Sequence, residues 1–199
     1  MKTLIYENSF TGSNDKLFGE GTGTFEVKDG KLFIDAAGGV MTVWIRDIFH
    51  GDLHITYEAS ITEPVASNNI NFFFYATVKD GESILTQSRT GAYNEYHESV
   101  NTYIMTFVGD ETGAEVLKYT RLRKDPGFHL LSENTDIYPV TGEKYIFEIE
   151  KTGTRIGCKI NGITVHDYTD PFPYDKGSVG FRTYNTKLWY SNLKIYGEK

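Results

Sequence analysis

Residues His54–Ile61 read HITYEASI, and apolar and polar side chains alternate through the whole stretch. The apolar set begins at Ile55 and Tyr57 and recurs at every second residue, whereas the residues between are polar. A period of two is that of a β-strand with one buried and one solvent-facing side. The segment Tyr145–Glu150 repeats the pattern. Both stretches therefore predict half-buried strands.

The same alternation recurs along most of the chain, and no run of ten residues carries a helical apolar stripe. Further strands are predicted at Thr24–Lys28, Leu32–Ala36, Met41–Arg46, Ile70–Val78, Thr102–Val108, Val116–Arg123, Arg155–Ile160, Ser178–Tyr184 and Lys187–Tyr196. The dipeptides Asp29-Gly30 and Asn161-Gly162 suit two-residue hairpin turns. About a dozen short strands with turns between them predict an all-β, antiparallel two-sheet sandwich. Because no linker or internal repeat is visible, we expect residues 1–199 to form a single domain.

Charge and cysteine content restrict the partners and the compartment. The net charge of −7 disfavours nucleic acid, and the short basic cluster Arg121–Lys124 is isolated. The single cysteine, Cys158, cannot form an intramolecular disulfide, which favours a reducing compartment. Residues Met1–Asn8 lack the apolar run of a signal peptide, and no stretch approaches the ~20 apolar residues of a membrane span. We therefore expect a cytoplasmic protein without a nucleic-acid or membrane partner; its oligomeric state stays open.

The segment Gly81–Val100 breaks the alternation. It is polar and has few apolar residues that could anchor it to a core. Long irregular segments inside compact domains are frequently functional. This segment is therefore the first place to look for a site.

Three blocks of the chain carry a family resemblance. Arg89–His97 read RTGAYNEYH and are followed by Asn101, Leu122–Leu130 read LRKDPGFHL, and Gly177–Arg182 read GSVGFR. In this order and spacing they resemble the YesU-like bacterial family of unknown function. The resemblance implies a jelly-roll sandwich of the concanavalin A-like lectin/glucanase type. Because a member of that family lies among genes for rhamnogalacturonan breakdown, it also implies bacterial plant-glycan utilisation, with an oligosaccharide or polysaccharide as partner.

The favoured hypothesis is lyase-type cleavage of a uronate-containing oligosaccharide. Elimination needs a base, an acid and cations that neutralise the uronate carboxylate. His97 and Tyr103 are the candidate base and acid, and Arg89, Arg121 and Arg123 are the candidate cations. The alternative for His97 is that it only orders the irregular segment through hydrogen bonds.

Other side chains are candidate sugar contacts. Aromatic rings can stack on the apolar C–H faces of sugars, and the aromatic candidates are Trp44, Tyr93 and Tyr96, whereas Trp189 is expected in the core. The polar candidates are Asn71, Asn101, His129 and Glu58. For His129 the alternative is a half-buried histidine with satisfied hydrogen bonds.

Two further functions stay open. A glycoside hydrolase needs two carboxyl groups ~5–9.5 Å apart, and Glu58 and Glu95 are the candidates. A glycan-binding module needs no catalytic group at all. No cofactor or metal is predicted, since the histidines lack a metal-binding spacing; a structural calcium at Glu7 or Asp170 is the alternative.

Overall fold

The computed structural model describes residues 2–13, 15–64, 68–110 and 117–198, and these form two β-sheets. The strands of one sheet are β2 (Leu17–Gly21), β5 (Val40–Ile45), β6 (Phe49–His50), β8 (Asn69–Val78), β9 (Val100–Asp110), β10 (Leu117–Asp125), β11 (His129–Asn134) and β15 (Lys176–Tyr184). We call this the front sheet. Its strand order is β11-β10-β9-β8-β15-β5-β2, with β6 paired to β15, and all of its pairs are antiparallel.

The second, or back, sheet lies behind it. Its strands are β1 (Thr3–Asn8), β3 (Thr24–Lys28), β4 (Lys31–Asp35), β7 (His54–Pro64), β12 (Lys144–Thr152), β13 (Arg155–Ile160), β14 (Ile163–Thr169) and β16 (Thr186–Gly197). The order is β14-β13-β12-β7-β16-β4-β3, with β1 paired to β16. A 3₁₀ turn at Ile84–Thr86 and the helix α1 at Tyr93–Ser99 complete the elements. No helix in the described ranges is long and apolar enough to cross a membrane.

The predicted fold class, an antiparallel two-sheet β-sandwich, is confirmed. Each predicted strand is present, although the predicted start at Val116 lies outside the described residues. Both hairpin turns have the expected geometry, with positive φ at Asp29, Gly30, Asn161 and Gly162.

The sequence patterns miss several strands, namely β1, β2, β6, β11 and β14. In β11 two adjacent leucines break the alternation, and the structure has a register shift between Ser132 and Leu130 there. The extra residue of a bulge moves the following side chains to the other face. β2 is rich in glycine, which leaves few side chains to form a pattern.

Aromatic rings fill the space between the sheets. Tyr57 of β7 stacks on Phe147 of the adjacent strand β12, with ring centroids 4.7 Å apart. It also stacks on Phe72 of the front sheet at 4.4 Å. Its complete burial raises the pKa of Tyr57 well above its usual range. The stretch that decides the fold thus also provides the centre of its core.

At one edge of the sandwich, His166 links the two sheets. The imidazole extends from β14, and its ring nitrogens lie 3.0 Å from the hydroxyl oxygens of Thr120 and Ser132 in the front sheet. Burial lowers the pKa of His166 to about 4, because the interior disfavours the charged ring.

We predict that His166 makes the stability of the protein sensitive to acid. The unfolded chain binds a proton on this imidazole near pH 6.5, whereas the folded protein does so only near pH 4. Its contribution is therefore complete above pH 6.5 and is lost as the pH falls towards 4, with an upper limit of about 3 kcal/mol. The free energy of unfolding, measured with urea at a series of pH values, should fall less steeply towards acid pH for His166→Gln than for the wild type. The exposed His129→Gln is the control, and equal slopes for wild type and His166→Gln would contradict the assignment.

Candidate functional site

The outward face of the front sheet carries one row of polar side chains across four adjacent strands. Arg182 of β15 pairs with Asn71 of β8, Asn71 with Thr106 of β9, and Thr106 with Arg121 of β10. Directly paired residues on one face of a sheet lie about 5 Å apart at Cβ, so the four side chains form a continuous line. We call this line the polar row.

The polar row is the floor of a groove of about 380 Å³. This volume lies within the range of ~300–1,000 Å³ that is usual for small-ligand sites. The remaining lining residues are mostly aromatic. They are Val40, Asn69, Tyr93, Tyr119, Arg123, Phe128 and Tyr184.

Beside the polar row runs an apolar row that solvent does not reach. Trp44, Phe73 and Ile104 occupy paired positions across the sheet and are completely buried. Residues 83–99, which we call the flap, cover them. The ring of Tyr96 in the flap lies 5.1 Å from that of Phe73 and 6.1 Å from that of Trp44. The irregular segment noticed in the sequence therefore folds over the sheet and forms one wall of the groove.

A buried ion pair fastens the flap to the sheet. Arg89 Nη2 lies 2.6 Å from Glu20 Oε1, and both side chains are almost fully buried. Glu20 Oε2 accepts hydrogen bonds from Trp44 Nε1 and from the Tyr96 hydroxyl, each at 2.9 Å. Arg89, Trp44 and Tyr96 were candidate substrate contacts, but here they hold the flap down and none of them lines the groove.

The flap also touches the polar row directly. Arg182 Nη1 donates to the carbonyl oxygen of Gly91 at 2.8 Å and to Thr42 Oγ1 at 3.0 Å. Its guanidinium carbon lies 4.6 Å from the ring centroid of Tyr93. Burial lowers the pKa of Arg182. Two of the three blocks that carry the family resemblance are thus in contact, one in the flap and one in β15.

The third block forms a turn at the end of the groove. Asp125 is completely buried, and its carboxylate accepts a hydrogen bond from the backbone N–H of Phe128 at 2.6 Å and contacts His97 Nδ1 at 2.9 Å. The ring centroids of His97 and Phe128 are 3.8 Å apart. Arg123 Nη1 donates to the carbonyl oxygen of Phe128 at 2.9 Å, and its guanidinium lies over that ring. His97 therefore links the flap to the turn that positions Arg123, and it is absent from the groove lining.

The candidate acid Tyr103 lies inside the sandwich. Its hydroxyl donates to Asp170 Oδ2 at 2.5 Å, and the ring is completely buried. Its neighbours at two-residue spacing, Met105 and Phe107, are core residues as well. A side chain on the inner face cannot reach a ligand on the outer face, so the geometry contradicts a catalytic role for Tyr103.

The two candidate carboxylates of a hydrolase lie on opposite sides of the sandwich. Glu58 is on the outward face of the back sheet, where Lys144 lies 3.1 Å away. Burial acts to raise the pKa of Glu58, but hydrogen bonds from Lys144 and Ser191 outweigh it, so the net shift is downward. Glu95 is in the flap on the front side and accepts a hydrogen bond from the backbone N–H of Thr90 at 2.8 Å. The pair cannot act on one glycosidic bond.

Two other candidates lie outside the groove lining. Asn101 donates to the carbonyl oxygens of Val78 and Lys79 and so holds the turn after β8. His129 is exposed at the start of β11 rather than half-buried. Of the predicted site residues, the groove brings together Asn71, Tyr93, Arg121 and Arg123.

Each of the two candidate calcium ligands faces a lysine. Glu7 lies 3.6 Å from Lys194, and Asp170 lies 2.6 Å from Lys124. Each carboxylate is thus neutralised by a lysine. The described residues contain no group of three or more histidine, cysteine, aspartate or glutamate side chains that could hold a metal ion.

Sequence reasoning missed Arg182, Thr106, Tyr119, Tyr184 and Phe128 as groove residues, and Glu20 as the anchor of the flap. Arg182 and Phe128 stand inside the resemblance blocks, so a signal was present for both. Glu20 and Arg89 are 69 residues apart, and nothing in the sequence links them.

Comparison with known proteins places the fold. The family profile described as "Domain of unknown function (DUF1961)" matches residues 3–195. No curated protein matches the chain. A Bacillus subtilis protein of unknown function with a galectin-like fold is 23% identical, with a TM-score of 0.84 over 100% of both chains.

Two other solved structures have the same fold at lower identity. The carbohydrate binding module CBM66 from Bacillus subtilis is 13% identical, with a TM-score of 0.65 over 92% of this chain and 96% of that chain. The exoplasmic/lumenal domain of VIP36, solved in a Ca²⁺/Man3GlcNAc-bound form, is 10% identical, with a TM-score of 0.70 over 100% of this chain and 91% of that chain. The fold is therefore a galectin-like, lectin-type jelly roll.

We predict that the Glu20–Arg89 pair maintains the closed flap. Glu20→Ala leaves the Arg89 guanidinium buried without its carboxylate, which should lower the free energy of unfolding by about 3–5 kcal/mol. Hydrogen exchange of the flap amides should accelerate more than that of the β8 amides. Asp167→Asn breaks the exposed pair with Arg155 and is the matched control, with a much smaller expected effect. Unchanged flap protection in Glu20→Ala would contradict the anchoring role.

Proposed function

We propose that this chain, which belongs to the family described as a domain of unknown function (DUF1961), binds an oligosaccharide in the groove of the front sheet without cleaving it. The fold neighbours support a glycan ligand, since one is a carbohydrate binding module and another was solved with a bound oligosaccharide. The observation that carries the proposal is the composition of the groove: a polar floor, aromatic walls and, among its described lining residues, no acid–base pair.

The groove offers the two kinds of contact that a sugar needs. Asn71 and Thr106 on the floor can exchange hydrogen bonds with hydroxyl groups. Tyr119 and Tyr184 flank the floor, and a phenol ring combines an apolar face with a polar tip. The Arg121 guanidinium lies 3.8 Å from the ring centroid of Tyr119, so polar and aromatic contacts occur side by side.

Cleavage receives less support from the same lining. Among the described residues that line the groove there is no aspartate, glutamate, histidine or lysine. Lyase-type elimination needs a base at the α-proton, and hydrolysis needs two carboxyl groups across the bond. Burial raises the pKa of the Tyr93 hydroxyl, which disfavours it as a base. Binding therefore fits the groove better than the lyase or hydrolase hypothesis.

The biological setting is part of the proposal. The sequence blocks shared with the YesU-like family support a role in bacterial plant-glycan utilisation. The single buried thiol of Cys158 is compatible with the proposed cytoplasmic location.

We predict measurable glycan binding without turnover. On a broad glycan array the protein should retain one or more oligosaccharides, and calorimetry should give their affinity. Tyr119→Ala and Tyr184→Ala should each weaken binding roughly tenfold, as expected for aromatic contacts at the centre of an interface. Tyr196→Ala removes a ring from the outward face of the back sheet and should leave the affinity unchanged.

Two assays decide between binding and catalysis. Prolonged incubation with each bound oligosaccharide should produce neither new reducing ends nor the ultraviolet absorbance of an unsaturated uronate. Reducing ends without absorbance would establish a hydrolase, and absorbance would establish a lyase. Either outcome would overturn the non-catalytic proposal.

A further inference from the structure

Arg182 is a cation that is buried at the floor of the groove. The residue is 2% exposed. Its nearest groups are a hydroxyl, a carbonyl oxygen and the rings of Tyr93 and Tyr96. Within the part of the chain that the structure describes, no carboxylate oxygen lies at ion-pair distance from it. Since a guanidinium stays charged in proteins, this arrangement leaves a positive charge poorly solvated and without a direct ion pair among the described residues.

The carboxylate that does approach Arg182 is already in use. Glu20 contributes some electrostatic attraction to Arg182. Both of its oxygens, however, are occupied by Arg89, Trp44 and Tyr96. One carboxylate therefore faces two guanidinium groups, and a net positive charge is left at the groove.

Arg123 is in a similar position at the other side of Tyr93. It has no ion pair with a carboxylate among the described residues, and its hydrogen bond goes to the carbonyl oxygen of Phe128. Burial lowers the pKa of Arg123, and the charge of neighbouring Arg121 adds to the effect. The charges of both Arg182 and Arg123 act on the nearby Tyr93 hydroxyl and lower its pKa, against the larger raising effect of burial. Two cations that make no direct ion pair with a carboxylate of the described residues thus flank one phenol in the groove wall.

We infer that the missing counter-charge is supplied by the ligand, so that the groove selects glycans carrying an anionic substituent, a carboxylate or a sulfate, bound between Arg182 and Arg123. This inference rests on the proposed glycan-binding function and specifies its ligand class. Arginine presents a planar fork of donors that matches an anion's oxygens. Asn71, next to Arg182 in the polar row, has a buried amide oxygen without a hydrogen-bond partner among the described residues, and a hydroxyl group of the same glycan could donate to it.

The test compares acidic oligosaccharides with neutral ones of the same sugar. A glycan array with neutral, uronate-containing and sulfated oligosaccharides identifies the bound class. For a uronate hit, calorimetry compares the free acid with its methyl ester, which has the same sugar and linkage but no negative charge. We expect the ester to bind at least about tenfold more weakly, and the affinity for the acid to fall as salt rises.

Variants locate the charge contact. Arg123→Gln should lower the affinity for the free acid at least about tenfold while changing the affinity for the ester much less. Arg182→Gln should have the same effect. Because Arg182 is buried, Arg182→Gln could fail to fold, and in that case Arg123→Gln alone tests the charge contact. Arg155→Gln on the back sheet is the matched control and should leave the affinity unchanged.

The outcomes separate the two levels of the proposal. Equal binding of acid and ester, with no effect of Arg123→Gln, would overturn the anionic ligand and leave glycan binding intact. Binding of neutral glycans alone would do the same. If no glycan of any class binds, the proposed function itself fails. Retention of sulfated glycans only would support the inference and identify sulfate as the anion.

Discussion

The ion pair between Glu20 and Arg89 is the interaction on which the rest of the site depends. It lies beneath the flap, where water is excluded. The Glu20 carboxylate also accepts hydrogen bonds from the indole N–H of Trp44 and from the hydroxyl of Tyr96. A charge in such surroundings is tolerated only when it is paired and hydrogen-bonded. The pair therefore fixes where the flap can sit, and the flap in turn provides the carbonyl oxygen of Gly91 that orients Arg182.

The opposite wall of the groove is built by a separate chain of contacts. Asp125 holds both His97 and the backbone of Phe128, and Phe128 holds Arg123 through its carbonyl oxygen and its ring. Both walls thus use buried carboxylates to place guanidinium groups. The protein carries a net charge of −7, yet its groove lining contains three arginines and, among the described residues, no acidic side chain. This local reversal of sign is what gives the groove its ligand preference in our proposal.

The sequence predicted the sandwich because burial on one face leaves a period of two in strands such as β7 and β12. The same period of two puts Arg121 and Arg123 on one face of β10, and both line the groove. It also held the information that Tyr103 faces inward, since Met105 and Phe107 share its face and are apolar. A tyrosine can occupy either environment, so the residue type misled where the period did not.

The roles within the flap could not be predicted from the sequence. An arginine that fastens the flap and an arginine that lines the groove look the same in a sequence, and what distinguishes Arg89 from Arg123 is the distant partner Glu20. Likewise, His97 looks like a catalytic base until the turn that contains Asp125 is folded against it. Contacts between residues far apart in the chain decide these cases, and no local pattern reports them.

The apolar row under the flap has a consequence for handling the protein. Trp44, Phe73 and Ile104 form a strip that water never reaches while the flap is closed. If the flap detaches while the sandwich stays folded, that strip becomes an exposed apolar patch on an otherwise native molecule. Molecules with such a patch self-associate, so turbidity or poor recovery of a variant such as Glu20→Ala would reflect an open flap rather than global unfolding.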